Sequence, residues 1–170
     1  MKQARIMMMM AGAAVLLTAM TAGSALAAKI GVVDTAKAVK EYNKTKDSQA
    51  RLEKEFNDKK EELQKLNTKL EKQQEELNAK KGIVAQKQYD SMQAKFADEQ
   101  DNFREKYKDV QNSFMKKQRD LMESIVNDIK EVVAQIGKAD KYELVLDKEV
   151  ALYGGEDITY KVLDLLNKKK

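Results

Sequence analysis

The sequence predicts an α+β fold in which a long antiparallel helical hairpin projects from a small β-rich body. Three observations lead to this prediction. Residues 46–136 contain no proline and a single glycine, Gly82. Apolar residues recur every seven positions on both sides of this glycine, and the two rows are symmetric about Ile83, so a reversal there brings them together along one seam. A short β-branched run over residues 28–33 and an alternating run over residues 142–147 predict the body.

The first 27 residues have the pattern of a secretory signal peptide. A positively charged start precedes an apolar run over residues 6–20, and small residues precede the expected cleavage site between Ala27 and Ala28. An uncleaved membrane anchor is the alternative, although this run is short for a membrane span. Cysteine is absent from the chain, which excludes a bacterial lipid anchor. We therefore expect a secreted mature chain of 143 residues.

The composition excludes several classes of function. The mature chain would carry 30 basic and 28 acidic residues, interleaved as on solvated helix faces. This balance lacks the basic stripe of a nucleic-acid-binding protein. Histidine and cysteine are both absent, which removes the commonest general base, the thiol nucleophiles and the usual zinc ligands. We expect no enzyme, no metal, no cofactor and no nucleic-acid partner.

The hairpin, or arm, is predicted over residues 45–120 with its tip near residues 81–85. Its second row of seam positions includes Lys59, Gln73 and Lys80 and becomes polar toward the tip. We therefore expect a firm seam beside the body and a loose seam near the tip. The predicted seam residues are Leu52, Phe56, Leu63, Leu70, Leu77, Tyr89, Phe96, Phe103, Val110 and Phe114.

One layer of this seam contains two amides. Gln73 faces Gln93 when the hairpin is symmetric about Ile83. The two side chains would either form an amide pair that fixes the register or lie solvated in a loose seam. The sequence leaves both interpretations open.

The body is predicted from residues 28–44 together with residues 121–170. Three strands are expected, at residues 28–33, 142–147 and 150–153. Asp34 and Thr35 are candidate caps of a first helix, which is followed by a kink or interruption over residues 43–48. Gly137 is expected to cap the long helix in a left-handed conformation. Asp157 is expected to cap a last helix whose apolar face comprises Ile158, Val162, Leu165 and Leu166.

Such a body is small for an independent fold. About 65 residues bury little surface, and short strands leave open edges. The apolar face over residues 121–136 is also wider than a two-helix seam requires. We therefore expect oligomerisation to close the sheet and to cover this face. The candidate interface residues are Ile30, Val32, Ile125, Ile129, Val132, Leu144, Leu146, Leu152 and Tyr153.

Together, these parts resemble the Skp/OmpH periplasmic chaperone family. The signal peptide, the opening KIGVVD, the charged hairpin and the segments YELVLDKEVALY and DITYKVLDLLN carry the resemblance over essentially the whole mature chain. It implies a homotrimer in which strands of three chains form a β-barrel body and three hairpins surround a cavity. It further implies a periplasmic holdase that encloses unfolded outer-membrane β-barrel proteins without ATP and prevents their aggregation.

The resemblance also directs attention to apolar residues on the arm. Ile83, Val84, Met92 and Met115 are candidate client contacts, because the first two lack a seam partner and thioethers adapt to varied surfaces. Ordinary packing within the arm is the alternative for Met92 and Met115.

A second partner follows from the basic arms that members of this family often have. Such arms suit lipopolysaccharide or an anionic lipid surface. Here residues 35–81 carry 13 basic and 10 acidic residues, whereas residues 82–138 carry 10 of each. We therefore expect this interaction to be weak, and the sequence places no site for it.

A structural role is the alternative function. The hairpin would then be a coiled-coil envelope spacer or an assembly adaptor without chaperone activity. A spacer needs a long uninterrupted heptad pattern and an anchor. The reversal near Gly82 argues against such a pattern.

Overall fold

The computed structural model describes residues 28–169. The predicted signal peptide, including Ala27 at its expected cleavage site, lies outside this part. The elements in chain order are β1 (Ile30–Val33), α1 (Thr35–Glu41), α2 (Asn43–Lys80), α3 (Gln86–Ala139), β2 (Leu144–Asp147), β3 (Glu156–Asp157) and α4 (Thr159–Lys168). Among the helices of this part, none has the length and apolar character that crossing a membrane requires.

Helices α2 and α3 form the predicted long hairpin, with 38 and 54 residues respectively. Residues 81–85 connect them, and Gly82 adopts a positive φ of 75° in this connection. The N–H groups of Ile83 and Val84 both donate to the carbonyl of Lys80, which closes the end of α2. The prediction of a long antiparallel helical arm is confirmed.

A single extended residue separates α1 from α2. Tyr42 has φ −64° and ψ 125°, so the helix is interrupted just before the kink predicted over residues 43–48. The ring of Tyr42 is buried, and its hydroxyl donates to Asp128 Oδ2 of α3 at 3.3 Å. The interruption thus redirects the chain from the body into the arm while Tyr42 remains part of the core.

The body has a small parallel sheet with strand order β2-β1-β3. Ile30 lies opposite Leu144, and Gly31 lies opposite Glu156. Two strands have four residues and the third has two, whereas α1, α4 and the end of α3 supply most of the body. The body is therefore mostly helical, which corrects the prediction that it is β-rich.

The third strand does not lie at residues 150–153, where the sequence predicted it. Asp147 accepts backbone hydrogen bonds from Val150 and Ala151 at 3.1 and 3.2 Å, which turns this segment away from the sheet. Alternating apolar residues there satisfied the strand pattern, but the turn bonds occupy the N–H groups that a ladder would need. The third strand is β3 instead.

Gly155 allows β3 to approach β1 closely. Its φ is 87°, and a Cβ atom at this position would lie 2.7 Å from Val32 Cγ1. Neither the left-handed backbone nor the contact tolerates a side chain without rearrangement. Gly155 therefore positions β3 beside β1.

The long helix extends beyond its predicted glycine cap. Gly137 is helical, and α3 continues to Ala139. Lys141 takes the left-handed conformation at φ 59°, and the N–H of Tyr142 donates to the Gly137 carbonyl at 2.9 Å. This is a Schellman-type end with lysine in place of glycine. The prediction that Gly137 forms the left-handed cap was wrong.

The N-cap residue of the last helix is Ile158, not Asp157 as predicted, and its side chain makes no cap hydrogen bond. Asp157 precedes it, and the Oδ1 atom of Asp157 accepts from the N–H of Thr159, the first helical residue, at 2.9 Å. Hydrogen bonds from the side chain and backbone of Thr159, with a further one from Lys148, lower the pKa of Asp157 to about 2. Thr159 Oγ1 also accepts from the N–H of Asp34 at 2.9 Å, so the start of α4 is tied to the end of β1.

The core of the body lies between α1, α3 and α4. Helices of the same chain cover most of the apolar face over residues 121–136, but Met122 and Val126 remain exposed. The expectation that oligomerisation covers this face therefore stays a prediction for its exposed part. On α4, Leu163 is buried while Leu165 is exposed, which exchanges these residues relative to the predicted apolar face. The buried core comprises Val33, Ala38, Tyr42, Ile125, Ile129, Val132, Ile136, Ile158, Val162, Leu163 and Leu166.

Candidate functional site at the base of the hairpin

Two aromatic rings lie between α2 and α3 where the hairpin leaves the body. The ring centroids of Phe56 and Phe114 are 4.2 Å apart, with the ring planes tilted by 32°. The sequence placed these residues in adjacent layers of the seam, so the contact is diagonal rather than within one layer. Both rings are half-buried. Two helices alone offer too little surface to enclose a pair of phenyl rings.

A groove of about 1000 Å³ lies beside this aromatic pair. We refer to it as the arm-base groove. Its apolar lining comprises Leu52, Phe56, Phe114, Met115, Leu121, Met122 and Ile125. A second, smaller pocket of about 220 Å³ shares Leu52, Phe56 and Phe114 with it. The base of the hairpin therefore presents an apolar surface that the chain does not fill itself.

The rim of the arm-base groove carries little net charge. Glu53 and Arg119 contribute one charge of each sign, and three amides complete the polar lining. Amides can donate to and accept from the backbone of an extended peptide, whereas the apolar lining can bind its side chains. Such a lining favours apolar segments of varied sequence over a specific charged ligand.

Charged residues fasten the hairpin to the body beside this site. Lys44 Nζ lies 2.7 Å from Asp128 Oδ2, and Lys169 Nζ lies 3.2 Å from Asp128 Oδ1. Partial burial acts to raise the pKa of Asp128, but the hydrogen bonds from the two lysines outweigh it and hold this pKa below its ordinary value. One carboxylate of α3 thus links the start of α2 to the end of the chain.

The seam beyond the groove is more thoroughly buried than the sequence predicted. Leu63, Leu70 and Leu77 are buried, and Leu77 near the tip is only 4% exposed. Phe56, which was expected in the firm part of the seam, is only half-buried. Burial therefore does not follow the predicted gradient from firm base to loose tip. Leucines fit a two-helix seam under the stems of neighbouring long side chains, whereas phenyl rings do not.

The remaining predicted seam residues are less buried than these leucines. On α3 every seam side chain is half-buried, and on α2 the same holds for the residue nearest the body. These residues are Leu52, Tyr89, Phe96, Phe103, Val110 and Phe114. The row on α2 thus forms the buried side of the seam, and the row on α3 forms its more accessible side.

The amide layer is not a simple pair. Gln93 is exposed, while Gln73 is half-buried and its Oε1 atom has no hydrogen-bond partner among residues 28–169. Hydrogen bonds from Lys69 and then from Gln73 lower the pKa of Glu99. Gln73 therefore acts on the pKa of the Glu99 carboxyl of α3, whereas its Oε1 atom accepts no hydrogen bond from Gln93.

The predicted client contacts lie in two separate places. Ile83, at the tip, is 79% exposed, and Val84 and Met92 nearby are half-buried. Met115 is 51% exposed and lines the arm-base groove. The structure therefore does not bring these four residues into one site.

Sequence reasoning missed Met122, which is 44% exposed in the same groove. It was assigned to the apolar face that the body buries. A usable signal was present, because Met122 follows Met115 by seven residues and so lies on the same side of the helix.

The predicted interface residues of the body form two groups. Val32, Ile125, Ile129 and Val132 are buried within the chain itself. The other group lies near the sheet, where Ile30 and Leu144 are exposed and Leu146 is half-buried. Leu152 and Tyr153 are 99% and 100% exposed, which is unusual for such large apolar side chains. This second group is available for contact with another chain.

No cluster of acidic, histidine or cysteine side chains in the described part of the chain has the arrangement of a metal site.

Comparisons with known proteins identify the family. The family model described as "Outer membrane protein (OmpH-like)" matches residues 29–166. Comparison with curated proteins gives no match. A similar solved structure is the crystal structure of a candidate outer membrane chaperone (OmpH-like) from Caulobacter crescentus CB15. It is 21% identical, with a TM-score of 0.76, and the alignment covers 84% of this chain and 86% of that chain. The chain belongs to the OmpH-like outer membrane protein family.

Proposed function

We propose that the mature chain is a periplasmic holdase chaperone that binds unfolded outer-membrane β-barrel proteins without ATP and prevents their aggregation. The arm-base groove carries this proposal. It offers an unfilled apolar lining and a nearly neutral rim, which suits apolar segments of many sequences. Membership of the OmpH-like family supports a chaperone role in general.

The proposed working unit is a homotrimer. Ile30, Leu144, Leu152 and Tyr153 are exposed together beside a sheet whose strand β1 is already paired on both sides. Association through the outer strands and the exposed segment would cover these side chains. Light scattering of the mature chain should give the mass of three chains. A stable single chain at micromolar concentration would contradict this part of the proposal.

A turbidity assay tests the chaperone function. An outer-membrane β-barrel protein unfolded in urea is diluted into buffer with or without the mature chain, and no nucleotide is added. The mature chain should suppress the scattering that marks aggregation. Undiminished scattering at a several-fold excess of the chain would rule out the holdase role.

A paired set of variants tests the groove. Replacing Met115 and Met122 together by glutamate places two charges in the apolar lining and should weaken suppression at least roughly thirtyfold, because each methionine that a client covers contributes on the order of 1 kcal/mol or more to client binding. Asn112→Glu adds a charge to the same helix outside the groove and should have little effect. Equal suppression by both proteins would show that clients bind elsewhere.

A structural spacer in the cell envelope is the second candidate function. The buried row of Leu63, Leu70 and Leu77 favours it, because a continuous seam stiffens a hairpin. The turbidity assay separates the candidates, since a spacer would leave aggregation unchanged.

A further inference from the structure

Sulfur is unevenly distributed in this protein. The chain has no cysteine, and residues 28–169 contain three methionines, Met92, Met115 and Met122. Two of the three line the arm-base groove, although it occupies a small part of the surface. The thioethers of the described region are therefore concentrated beside the proposed client site.

Both groove methionines are open to solvent. Met115 and Met122 are exposed, whereas Met92 is half-buried on the distal part of the arm. Exposure favours attack by a dissolved oxidant on a methionine sulfur.

We propose that Met115 and Met122 form a reversible oxidation site that controls the affinity of the arm-base groove, an inference that rests on the proposed client function of that groove. The oxidant is hydrogen peroxide. The methionine sulfur attacks one peroxide oxygen, a sulfur–oxygen bond forms and the oxygen–oxygen bond breaks. The departing hydroxide takes up the proton that the sulfur-bound oxygen releases and leaves as water. The sulfur loses two electrons, and the peroxide gains them.

The sulfoxide changes the groove because it is polar where the thioether was apolar. The two methionines share the groove lining with the half-buried Phe56 and Phe114 rings. Two polar oxygens there would need hydrogen-bond partners that an apolar client segment does not supply. Client segments should therefore bind the oxidised groove more weakly, while the core of the body, which contains no methionine, stays intact.

Reduction restores the original lining. A methionine sulfoxide reductase supplies two electrons and two protons, which release the oxygen as water. Because oxidation creates two sulfoxide epimers, complete reduction needs the two reductase types that act on them. The site thus has the chemistry of a switch rather than of permanent damage.

Peptide mass spectrometry tests the first half of this proposal. The assembled mature protein is treated with hydrogen peroxide, which is removed before analysis. Met115 and Met122 should be oxidised about threefold faster than Met92, because their sulfurs are more accessible. Equal or slower oxidation of the groove pair would overturn the assignment of the site.

The turbidity assay tests the second half, with each protein compared with itself before and after oxidation. The oxidised wild type should need about fivefold more protein for equal suppression, and both reductases together should reverse this loss. Oxidation should reduce the suppression by M115L/M122L much less than it reduces the suppression by the wild type. It should reduce the suppression by M92L as much as that by the wild type. An equal loss of suppression in M115L/M122L and in the wild type would overturn the switch.

A different result would overturn the proposed function. If the untreated wild type does not suppress aggregation, the chaperone function fails, and the switch fails with it. The oxidation rates would still test the site.

Discussion

Helix α3 passes from the arm into the body, and its side chains are buried to different degrees in these two regions. Near its end, Ile125, Ile129, Val132 and Ile136 are buried because α1 and α4 cover them from additional sides. Along the hairpin, the same helix has no fully buried side chain, since α2 is its only neighbour there. The number of neighbouring elements thus decides burial along α3, whereas α2 buries Leu63, Leu70 and Leu77 against α3 alone. Stability is therefore concentrated in the body, and the arm is left accessible.

The largest difference in the loss of unfolding free energy should appear when one large apolar side chain is truncated to alanine in the body and one in the arm. Ile129→Ala should lower the free energy of unfolding by about 2–5 kcal/mol, as for other fully enclosed core residues. Leu70→Ala should lower it by about 1–2 kcal/mol, because the seam is only one layer thick. Urea unfolding measures both. Equal losses would show that arm and body unfold as one unit with equally enclosed cores.

A smaller difference in the free energy of unfolding is expected between substitutions of two glycines that both have a positive φ. Gly155→Ala in the body combines left-handed strain with the 2.7 Å approach to Val32, and should cost about 2–4 kcal/mol. Gly82→Ala at the tip meets no atom within 4 Å, so only the backbone strain of about 1–2 kcal/mol remains. Thermal unfolding of the two variants gives the comparison. A Gly82 variant as unstable as the Gly155 variant would mean that the tip is packed as tightly as the sheet.

The smallest expected effect concerns the polar layer of the arm. Gln73→Leu removes a buried oxygen without a partner and should stabilise the hairpin by about 1 kcal/mol. Hydrogen exchange of arm amides should then slow roughly fivefold, with no change in the body. Gln93→Leu is the matched control, since Gln93 is exposed. Slower exchange in the body as well would show that the two regions are coupled.

The sequence was sufficient for the parts of the fold that depend on local pattern. The symmetry about Ile83 predicted the hairpin, the β-branched run predicted β1 within two residues, and the alternating pattern predicted β2 within two residues. The third strand was misplaced because alternating residues also occur in an exposed segment that the bonds to Asp147 turn away from the sheet. The helix end was misplaced because Lys141, not Gly137, takes the left-handed conformation.

The candidate site depended on information that periodicity does not contain. A heptad pattern shows which side of a helix is apolar, but not how many neighbours cover that side. The pattern therefore predicts a buried Met122 and a firmly packed Phe56, whereas Met122 is 44% exposed and Phe56 is half-buried. The groove arises where the wide face of α3 extends past the elements that cover it, and only the tertiary arrangement shows that point.

The position of β1 has a consequence for the order in which the molecule folds. This strand lies in the middle of the sheet, yet both of its neighbours come from the last part of the chain. The hydrogen bond from the N–H of Asp34 to Thr159 Oγ1, for example, joins residues that are 125 positions apart in the sequence. The hairpin needs only contacts across one reversal, and such local structure forms faster than pairing between distant segments. We therefore expect the arm to form first. Both edges of β1 stay unpaired until β2 and β3, from the last part of the chain, join the sheet.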